Sequence, residues 1–455
     1  MRVPLRPRWP QPPTYTTTAT PETSHQGVSN EENDDGKPAA TLIWAQTLIP
    51  GRGDPIRNGA VAFRGGKIEW VGSFMERPAR YHDIRPMYVP VLMPGLWDCH
   101  CHYIGVEVAT SMDALSYLPG ANALIGAITV EDLKQTLMAG YTSVRELEGY
   151  AGDLVPGIDG GYIVGPNIYS SHAALSITGG HGDEHWAPIT TVMEAMNRGG
   201  APIGLCDGVP ECIKTVRLMI RRGARVIKVC SSGGILSLND DPEDRQFSDE
   251  ELRAIVQEAA RSRRAVAAHA IGKAGIMAAL HAGVKSIEHG IFLDEEVAEL
   301  MKEKGAYFVA TQHIIRTLND DYLDKLPPQS RAKAGDLVER SKSAYRLAVS
   351  SGVKIALGTD MLSSNRKSRL SHGNNAHELV WAVEAGMTPL QAIESATANG
   401  PETLGGMAPL SGQLKEGYDA DFIAVNTNPL EDISVLTNTG NITHVWKRGK
   451  LFKEP

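Results

Sequence analysis

Short hydrophobic runs that are typical of β-strands lie near both ends of the chain. Near the N-terminus they follow Thr41, and near the C-terminus they occupy residues 421–425 and 442–452. Turn-forming residues such as glycine, proline, aspartate and asparagine separate them. Because these two strand-rich ends flank a different middle, we predict one small β-sandwich domain formed by residues 39–93 and 408–455.

Buried-strand candidates alternate with helical stretches through residues 94–407. The predicted strands are GLWDCHCH (95–102), TSVREL (142–147), NIYSSH (167–172), RVIKVC (225–230), AVAAHA (265–270), KSIEHG (285–290), AYFVAT (306–311) and KIALGTD (354–360). A capping box of Ser248 and Glu251 marks the start of one intervening helix. Eight βα units predict an α/β fold, a closed (β/α)8 barrel of the TIM type. The rival, a doubly wound sheet, usually has a glycine-rich turn after its first strand, and HCHYIG at this point is not one.

The first 38 residues show no periodicity, and we predict a disordered tail over residues 1–38. They contain no apolar stretch of a secretory signal, and several prolines oppose the amphipathic helix of a transit peptide. Five cysteines in 455 residues are too few for a disulfide scaffold. We therefore expect a cytoplasmic protein.

The net charge of −8 and the 42% share of hydrophobic residues narrow the partners. An acidic chain without a basic patch is not expected to bind nucleic acid. No apolar run reaches the roughly 18 residues of a membrane span, so we expect no membrane partner. A small-molecule substrate is the partner that remains.

Polar side chains stand where the predicted barrel strands end, which is where active sites of such barrels form. His100 and His102 share one face at the end of the first strand, because strand side chains alternate. Such a pair suits a metal ion, although two polar loop histidines would give the same pattern. His269 and His289 end two successive strands, and Asp360 ends the last one.

Lys228 lies among Val226, Ile227 and Val229, where an unpaired ammonium is costly. It either extends its charge past the strand end or carries a carbamate derived from CO2. A carbamate is an anion with two oxygens and is able to bridge two cations. Asp360 either caps a helix or, beside a metal-bound water, serves as a general base.

The order of these residues resembles that of the amidohydrolase superfamily, with HxH on the first strand, Lys on the fourth, His on the fifth and sixth, and Asp on the eighth. Longer segments resemble the fungal ochratoxinase group, among them VPVLMPGLWDCHCH, GPNIYSSHAALSITGGHGD and RRGARVIKVCSSGG. That group lies beside the imidazolonepropionase-like and Xaa-Pro dipeptidase-like metal hydrolases. The resemblance covers roughly residues 41–455.

This resemblance implies a binuclear centre of two divalent metal ions, for which Zn2+ is the first expectation. Its ligands would be His100, His102, Lys228, His269, His289 and Asp360. His100 and His102 would bind one ion with Asp360, His269 and His289 the other, and carboxylated Lys228 would bridge them. Asp360, Lys228 and His289 would form the catalytic set. Asp360 would take the proton of a metal-activated hydroxide that attacks the amide carbonyl.

The same resemblance implies substrate contacts from His181 in the GGHGD loop, and from Tyr169 and His172. For each of them a structural role is the alternative. The expected reaction is carboxypeptidase-like release of an amino acid such as phenylalanine from an N-acyl amino acid, with ochratoxin A as one such amide, or from a dipeptide. The alternative is hydrolysis of a cyclic amide, carbamate or urea, as in imidazolonepropionase-like or phenylurea hydrolase-like enzymes.

Two other functions fit the sequence less well. A deaminase typically uses one metal without the bridging lysine, and a non-catalytic scaffold of this fold usually loses metal ligands, whereas all six predicted ligands are present here. Relatives tend to assemble, so we expect a homo-oligomer. The loop after Asp360 departs from the pattern of the group and carries Arg366, Lys367 and Arg369. These cations are either a solvated run or a binding site for a substrate carboxylate.

Overall fold

The computed structural model describes residues 39–106, 121–198 and 202–455, so the tail predicted for residues 1–38 lies outside the described residues. The strands of the described part are β1 (Thr41–Leu48), β2 (Ile56–Arg64), β3 (Lys67–Ser73), β4 (Met87–Pro94), β5 (Leu96–Cys101), β6 (Tyr141–Glu146), β7 (Asn167–Ser170), β8 (Ala174–Ser176), β9 (Ile203–Leu205), β10 (Ile227–Cys230), β11 (Val266–Ala270), β12 (Ser286–His289), β13 (Tyr307–Val309), β14 (Lys354–Ile355), β15 (Phe422–Val425), β16 (Ile442–Lys447) and β17 (Lys450–Lys453).

The α-helices of the same part are α1 (Ala121–Met138), α2 (Ala151–Asp159), α3 (Ile189–Arg198), α4 (Gly208–Arg222), α5 (Asp249–Arg261), α6 (Lys273–Ala282), α7 (Glu295–Lys304), α8 (Gln312–Thr317), α9 (Pro328–Ala334), α10 (Leu337–Ser350), α11 (His377–Glu384), α12 (Pro389–Ser395) and α13 (Asn399–Glu402). Within the described ranges, none of the helices combines the length and the apolar character that a bilayer crossing requires.

Strands from both ends of the chain form one sheet in the order β17-β16-β15-β4-β1-β2-β3. The Phe63 ring on β2 lies 5.1 Å from the Phe422 ring on β15, although two strands separate β2 from β15 in that order. The sheet therefore curls over its own apolar core. This arrangement confirms the separate sheet domain, and we propose residues 39–93 and 408–455 as its two segments.

Parallel strands of the middle form a second sheet, ordered β14-β13-β12-β11-β10-β8-β9, and a third, ordered β5-β6-β7. Two sets of backbone bonds join them into a ring. The Cys99 amide donates to the Leu357 carbonyl at 2.8 Å, beside a parallel bridge between Cys101 and Met361. On the other side, the Arg225 amide donates to the Ser170 carbonyl at 2.9 Å. The predicted (β/α)8 barrel is confirmed.

The third barrel strand differs from the prediction because it is broken. β7 pairs with β6, the chain turns at His172 with φ of 63°, and β8 then pairs with β10. β9 lies beside β8 and was not predicted. β8 and β9 have three residues each, too few for a period-two pattern to stand out from the sequence.

Local signals in the sequence set the ends of several helices that surround the barrel. Ser248 and Glu251 form the predicted capping box of α5, each side chain bonding the other residue's amide. α6 and α7 end at Gly283 and Gly305, whose φ values of 94° and 63° are costly for other residues. The cap at Ser248 follows β10 on the side of the barrel where the site forms, whereas Gly283 and Gly305 lead into β12 and β13 at the opposite end.

Candidate active site

The residues predicted as metal ligands converge on one cavity of about 590 Å³ at the carboxyl ends of the barrel strands. They are His100, His102, Lys228, His269, His289 and Asp360. These residues come from five strands and span more than half of the chain, and the closure of the barrel brings them together.

Asp360 lies at the centre of this group. Its Oδ1 lies 2.9 Å from His102 Nε2 and 3.4 Å from His100 Nε2, and its Oδ2 lies 4.0 Å from His289 Nδ1. One ligand atom each from His100, His289 and Asp360 falls within 4.8 Å of the others. Two imidazoles and a carboxylate at this spacing fit a divalent metal ion.

Each of the four histidines uses one ring nitrogen to contact a protein atom. The contacts are His100 Nδ1 with Glu288 Oε2 at 2.9 Å, His102 Nδ1 with the Glu148 carbonyl at 2.9 Å, His269 Nε2 with the Gly233 carbonyl at 3.0 Å, and His289 Nδ1 with Thr311 Oγ1 at 2.8 Å. Carbonyl and carboxylate oxygens only accept, so in the first three the ring nitrogen donates. In His100 and His269 the second nitrogen then carries the lone pair that a metal ion needs. His102 Nε2 instead lies 2.9 Å from Asp360 Oδ1, and it would give up its proton to bind an ion.

Burial keeps three of the four predicted metal-binding histidines neutral. It lowers the pKa of His289 to about 3 and holds the pKa values of His100 and His269 well below the ordinary value. Burial also opposes ionisation of Asp360, but the hydrogen bond and charge of His102 hold its pKa below the ordinary value. The site therefore presents three neutral imidazoles near neutral pH, with His102 paired to an ionised Asp360 carboxylate.

Behind His100 lies a buried ion pair that the sequence analysis missed. Glu288 Oε1 accepts from Arg145 Nη2 at 2.7 Å, and Arg145 Nε donates to the Cys99 carbonyl at 2.6 Å. Both charged side chains have 0% exposure. The sequence does contain a hint of this ion pair. TSVREL has one arginine and KSIEHG one glutamate, and each lies inside a predicted buried strand.

Lys228 is 3% exposed, and its Nζ lies 3.4 Å from His100 Nε2. A buried ammonium beside imidazoles is unfavourable, and its charge adds to burial in lowering the pKa of His100. Cys230, on the same face of β10, also lines the cavity. An ammonium at this buried position is costly unless it is paired.

Left-handed backbone conformations cluster around the cavity. Thr311, His289, Asp360 and Glu148 have φ values of 47°, 69°, 58° and 123°. Non-glycine residues rarely adopt such values, and they concentrate at functional sites where the surrounding structure holds them. Each of the four follows or ends a barrel strand.

His181 also lines the cavity, as the resemblance implied. Its ring stacks on the His269 ring with a centroid distance of 4.1 Å, and its Nδ1 lies 2.9 Å from Ser237 Oγ. Burial lowers the pKa of His181 to about 4. The GGHGD loop is therefore a fixed part of the cavity wall.

Tyr169 and His172 lie away from this cavity. Tyr169 faces the closed end of the barrel and stacks on Trp97 with a centroid distance of 5.0 Å. The left-handed turn at His172 sends its ring toward α2, where Nδ1 lies 3.3 Å from Asp153 Oδ1. Neither residue lines the site cavity formed by the described residues.

The cations of the loop after Asp360 lie on the surface. Arg366 pairs with Glu131 at 2.5 Å, and Arg369 pairs with Asp321 at 2.7 Å. Lys367 is exposed. Of the two expectations, the structure supports the solvated run, since these side chains contact surface carboxylates and do not line the described cavity.

Most of the other residues that line the inner cavity are aliphatic. They are Ile235, Leu236, Ile271, Ile291, Ile314, Ile315 and Leu318. An outer cavity of about 1960 Å³ shares His102, Glu148, His181 and Asp360 with the inner one and continues toward the surface. A substrate can therefore place a large apolar group beside the metal ligands while its remainder extends outward.

Comparison with known proteins identifies the relatives of this site. The model of the amidohydrolase family matches residues 91–452, a range that includes every predicted metal ligand. The chain belongs to the amidohydrolase family. This amidohydrolase is 48% identical to ochratoxinase of Aspergillus niger over 426 residues, which cover 91% of this chain and 87% of that protein.

Solved structures agree with this assignment. The crystal structure of A. niger ochratoxinase matches with a TM-score of 0.84 and covers 91% of this chain and 96% of that one. The crystal structure of a Xaa-Pro dipeptidase with methionine bound in its active site is 30% identical, with a TM-score of 0.77, and covers 91% of this chain and 100% of that one. The predicted family resemblance is confirmed, and the amidohydrolase is an enzyme that hydrolyses amide bonds.

Proposed function

We propose that this amidohydrolase is a metal-dependent, carboxypeptidase-like enzyme. It releases an amino acid with a large apolar side chain, such as phenylalanine, from an N-acyl amino acid or a dipeptide. The observation that carries the proposal is a cavity lined by both metal-ligand side chains and seven aliphatic residues. The ochratoxinase and Xaa-Pro dipeptidase relatives support amides of these two kinds.

We propose two divalent ions, with zinc as the first choice, because the donors are neutral imidazoles and carboxylate-type oxygens. His100, His102 and Asp360 would hold one ion, and His269 and His289 the other. A CO2-derived carbamate on Lys228 would bridge them and replace an unfavourable buried ammonium with an anion. Bound divalent ions lower the pKa of water and stabilise negative charge on a carbonyl oxygen.

Asp360 would act as the general base. Its Oδ1 faces His102 Nε2 at 2.9 Å, the atom with which it would hold the ion, so Oδ2 is the oxygen left to hold a transferred proton. Water attacks the carbonyl carbon and gives this proton to Asp360. The bond from carbon to nitrogen then breaks, and Asp360 returns the proton to the leaving nitrogen. The products are a carboxylic acid and a free amine.

The proposal is tested by a substrate panel read by mass spectrometry, with and without a chelator. The panel contains ochratoxin A, N-acyl-phenylalanines, Xaa-Pro dipeptides, a phenylurea and an imidazolone. We expect chelator-sensitive release of a free amino acid. Turnover of only the phenylurea or the imidazolone would instead select the cyclic amide, carbamate or urea reaction, and a metal-loaded protein that cleaves nothing would contradict the proposal.

We also propose that the protein forms a homo-oligomer, as the resemblance implied. Light scattering of the purified protein measures its mass directly, and the mass of a single chain, 49.1 kDa, would contradict this proposal.

A further inference from the structure

A chain of polar contacts connects His181 to α9, about 150 residues further along the sequence. His181 Nδ1 lies 2.9 Å from Ser237 Oγ, Ser237 Oγ hydrogen-bonds to Asp240, and Asp240 Oδ1 accepts from Lys333 Nζ at 2.7 Å. The side chains of Asp240 and Lys333 are only 5% and 12% exposed. Buried polar groups connected in this way hold one another in place.

Lys333 ties down the loop that contacts His181. Besides Asp240, its ammonium donates to the Gly234 carbonyl at 2.9 Å and to the Ser237 carbonyl at 2.7 Å. These three acceptors match the three hydrogens of the ammonium. The loop packs tightly on the histidine, since a Cβ at Gly234 would lie 2.1 Å from His181 Nδ1.

The ring of His181 is thus fixed on both sides. The loop that contains Gly234 and Ser237 packs against the ring. The His269 ring stacks on the His181 ring with a centroid distance of 4.1 Å. Such confinement leaves the ring little freedom to rotate. A group held in one orientation at the cavity costs less entropy when a substrate binds to it.

The contacts also define which nitrogen of His181 carries the proton. Ser237 has a single hydroxyl hydrogen, and the Asp240 carboxylate is an acceptor that requires it. Ser237 Oγ is then an acceptor toward His181, so Nδ1 must donate. In the neutral ring, Nε2 consequently carries a lone pair.

We propose that Lys333, Asp240 and Ser237 are positioning residues that fix His181 with Nε2 as a hydrogen-bond acceptor at the cavity, so that the enzyme selects amides with an N–H at the scissile bond. The inference rests on the proposed function. N-acyl amino acids have this N–H, whereas prolyl amides do not. The substrate class is therefore secondary amides such as N-acyl-phenylalanine.

The first test compares an N-acyl-phenylalanine with its N-methyl counterpart. We expect the wild-type kcat/KM to favour the secondary amide by about tenfold or more, the scale of one well-made hydrogen bond. His181→Phe keeps an aromatic ring on His269 but removes the acceptor, so the preference should fall toward unity. Lys333→Met should reduce the preference, and Lys333→Arg should partly restore it.

A matched control is Lys342→Met, which removes a lysine that pairs with Glu339 on the outer surface of α10. This variant should keep the wild-type preference. A purely structural role for Lys333 would lower both rates in proportion and leave the preference unchanged. An unchanged preference in both His181→Phe and Lys333→Met would overturn the proposal.

The second test does not depend on activity. Nitrogen-15 NMR of histidine-labelled, zinc-loaded protein reads the tautomer of His181, whose signals are assigned by their loss in His181→Phe. We expect a proton on Nδ1 in the wild type and a change of tautomer in Ser237→Ala. A proton on Nε2 in the wild type would overturn the proposed positioning of His181 even if no amide is cleaved. Failure of the proposed function and failure of this positioning are thus separate outcomes.

Discussion

At the scale of single residues, the site depends on which side chains are charged. The pair of Asp360 and His102 forms because each stabilises the charge of the other against burial. Burial opposes protonation of His102, yet the hydrogen bond to Asp360 raises its pKa above the ordinary value. The neighbouring His100, His269 and His289 remain neutral because burial lowers their pKa values. Glu288 lies 2.9 Å from His100 Nδ1 but also pairs with Arg145.

Replacement of Asp360 by asparagine should lower kcat by roughly 10² to 10⁴-fold, the range for loss of a general base. The amide is similar in shape to the carboxylate but does not hold the transferred proton. The rate is measured together with metal content by mass spectrometry. Asp83→Asn, an exposed position in the sheet domain, is the control. Near-normal turnover by Asp360→Asn would remove Asp360 from the role of base.

Replacement of Glu288 by glutamine should weaken metal binding by about 10 to 100-fold, as expected when the partner of a ligating histidine is lost. It also leaves Arg145 buried without its counter-ion, which should destabilise the protein by about 3–5 kcal/mol. Chelator competition measures the first effect, and thermal unfolding of the metal-free protein the second. Glu299→Gln, on the exposed face of α7, should change neither quantity. An unchanged metal affinity would show that Glu288 has no effect on His100.

At the scale of elements, the sequence predicted much because each element carries a local signal. The apolar run of KSIEHG indicated a strand, and the Ser248–Glu251 spacing indicated a helix start. What could not be predicted depends on contacts between distant segments. The break of the third strand at His172, and the bond from Lys333 to the loop beside His181, have no local pattern that reveals them.

The capping box of α5 gives a prediction at this scale. Ser248→Ala removes the side chain that accepts from the Glu251 amide and should lower the free energy of unfolding by about 1 kcal/mol. Metal affinity should not change, because α5 lies outside the barrel strands. Chemical denaturation provides the measurement. Ser262→Ala, at the other end of the helix, serves as the matched control, and equal effects of the two substitutions would contradict a capping role.

At the scale of the whole molecule, burial of neutral histidines makes stability depend on pH. His313 is 2% exposed, and burial lowers its pKa to about 4. The unfolded chain binds a proton at this position below about pH 6.5, whereas the folded protein does not, so acid favours unfolding. The closure of the barrel and the stability of its site are therefore coupled to pH between these two values.

His313→Gln should reduce this dependence. For the wild type, the single histidine should cost about 2 kcal/mol of stability between pH 7 and pH 5. Glutamine keeps a donor for the Arg369 carbonyl, which His313 Nε2 contacts at 2.8 Å, but does not titrate. Denaturation of metal-free protein at the two pH values measures the difference. The exposed His281→Gln is the control, and an equal slope in His313→Gln and the wild type would contradict the explanation.

In this enzyme, metal binding and amide hydrolysis should belong to one site. The most direct measurement is the rate of phenylalanine release from an N-acyl-phenylalanine as zinc is added back to chelator-treated protein. We predict no release from the metal-free protein and a rate that rises until about two zinc ions are bound per chain. A rate that is independent of added zinc, or a fully zinc-loaded protein that releases no amino acid, would contradict the account.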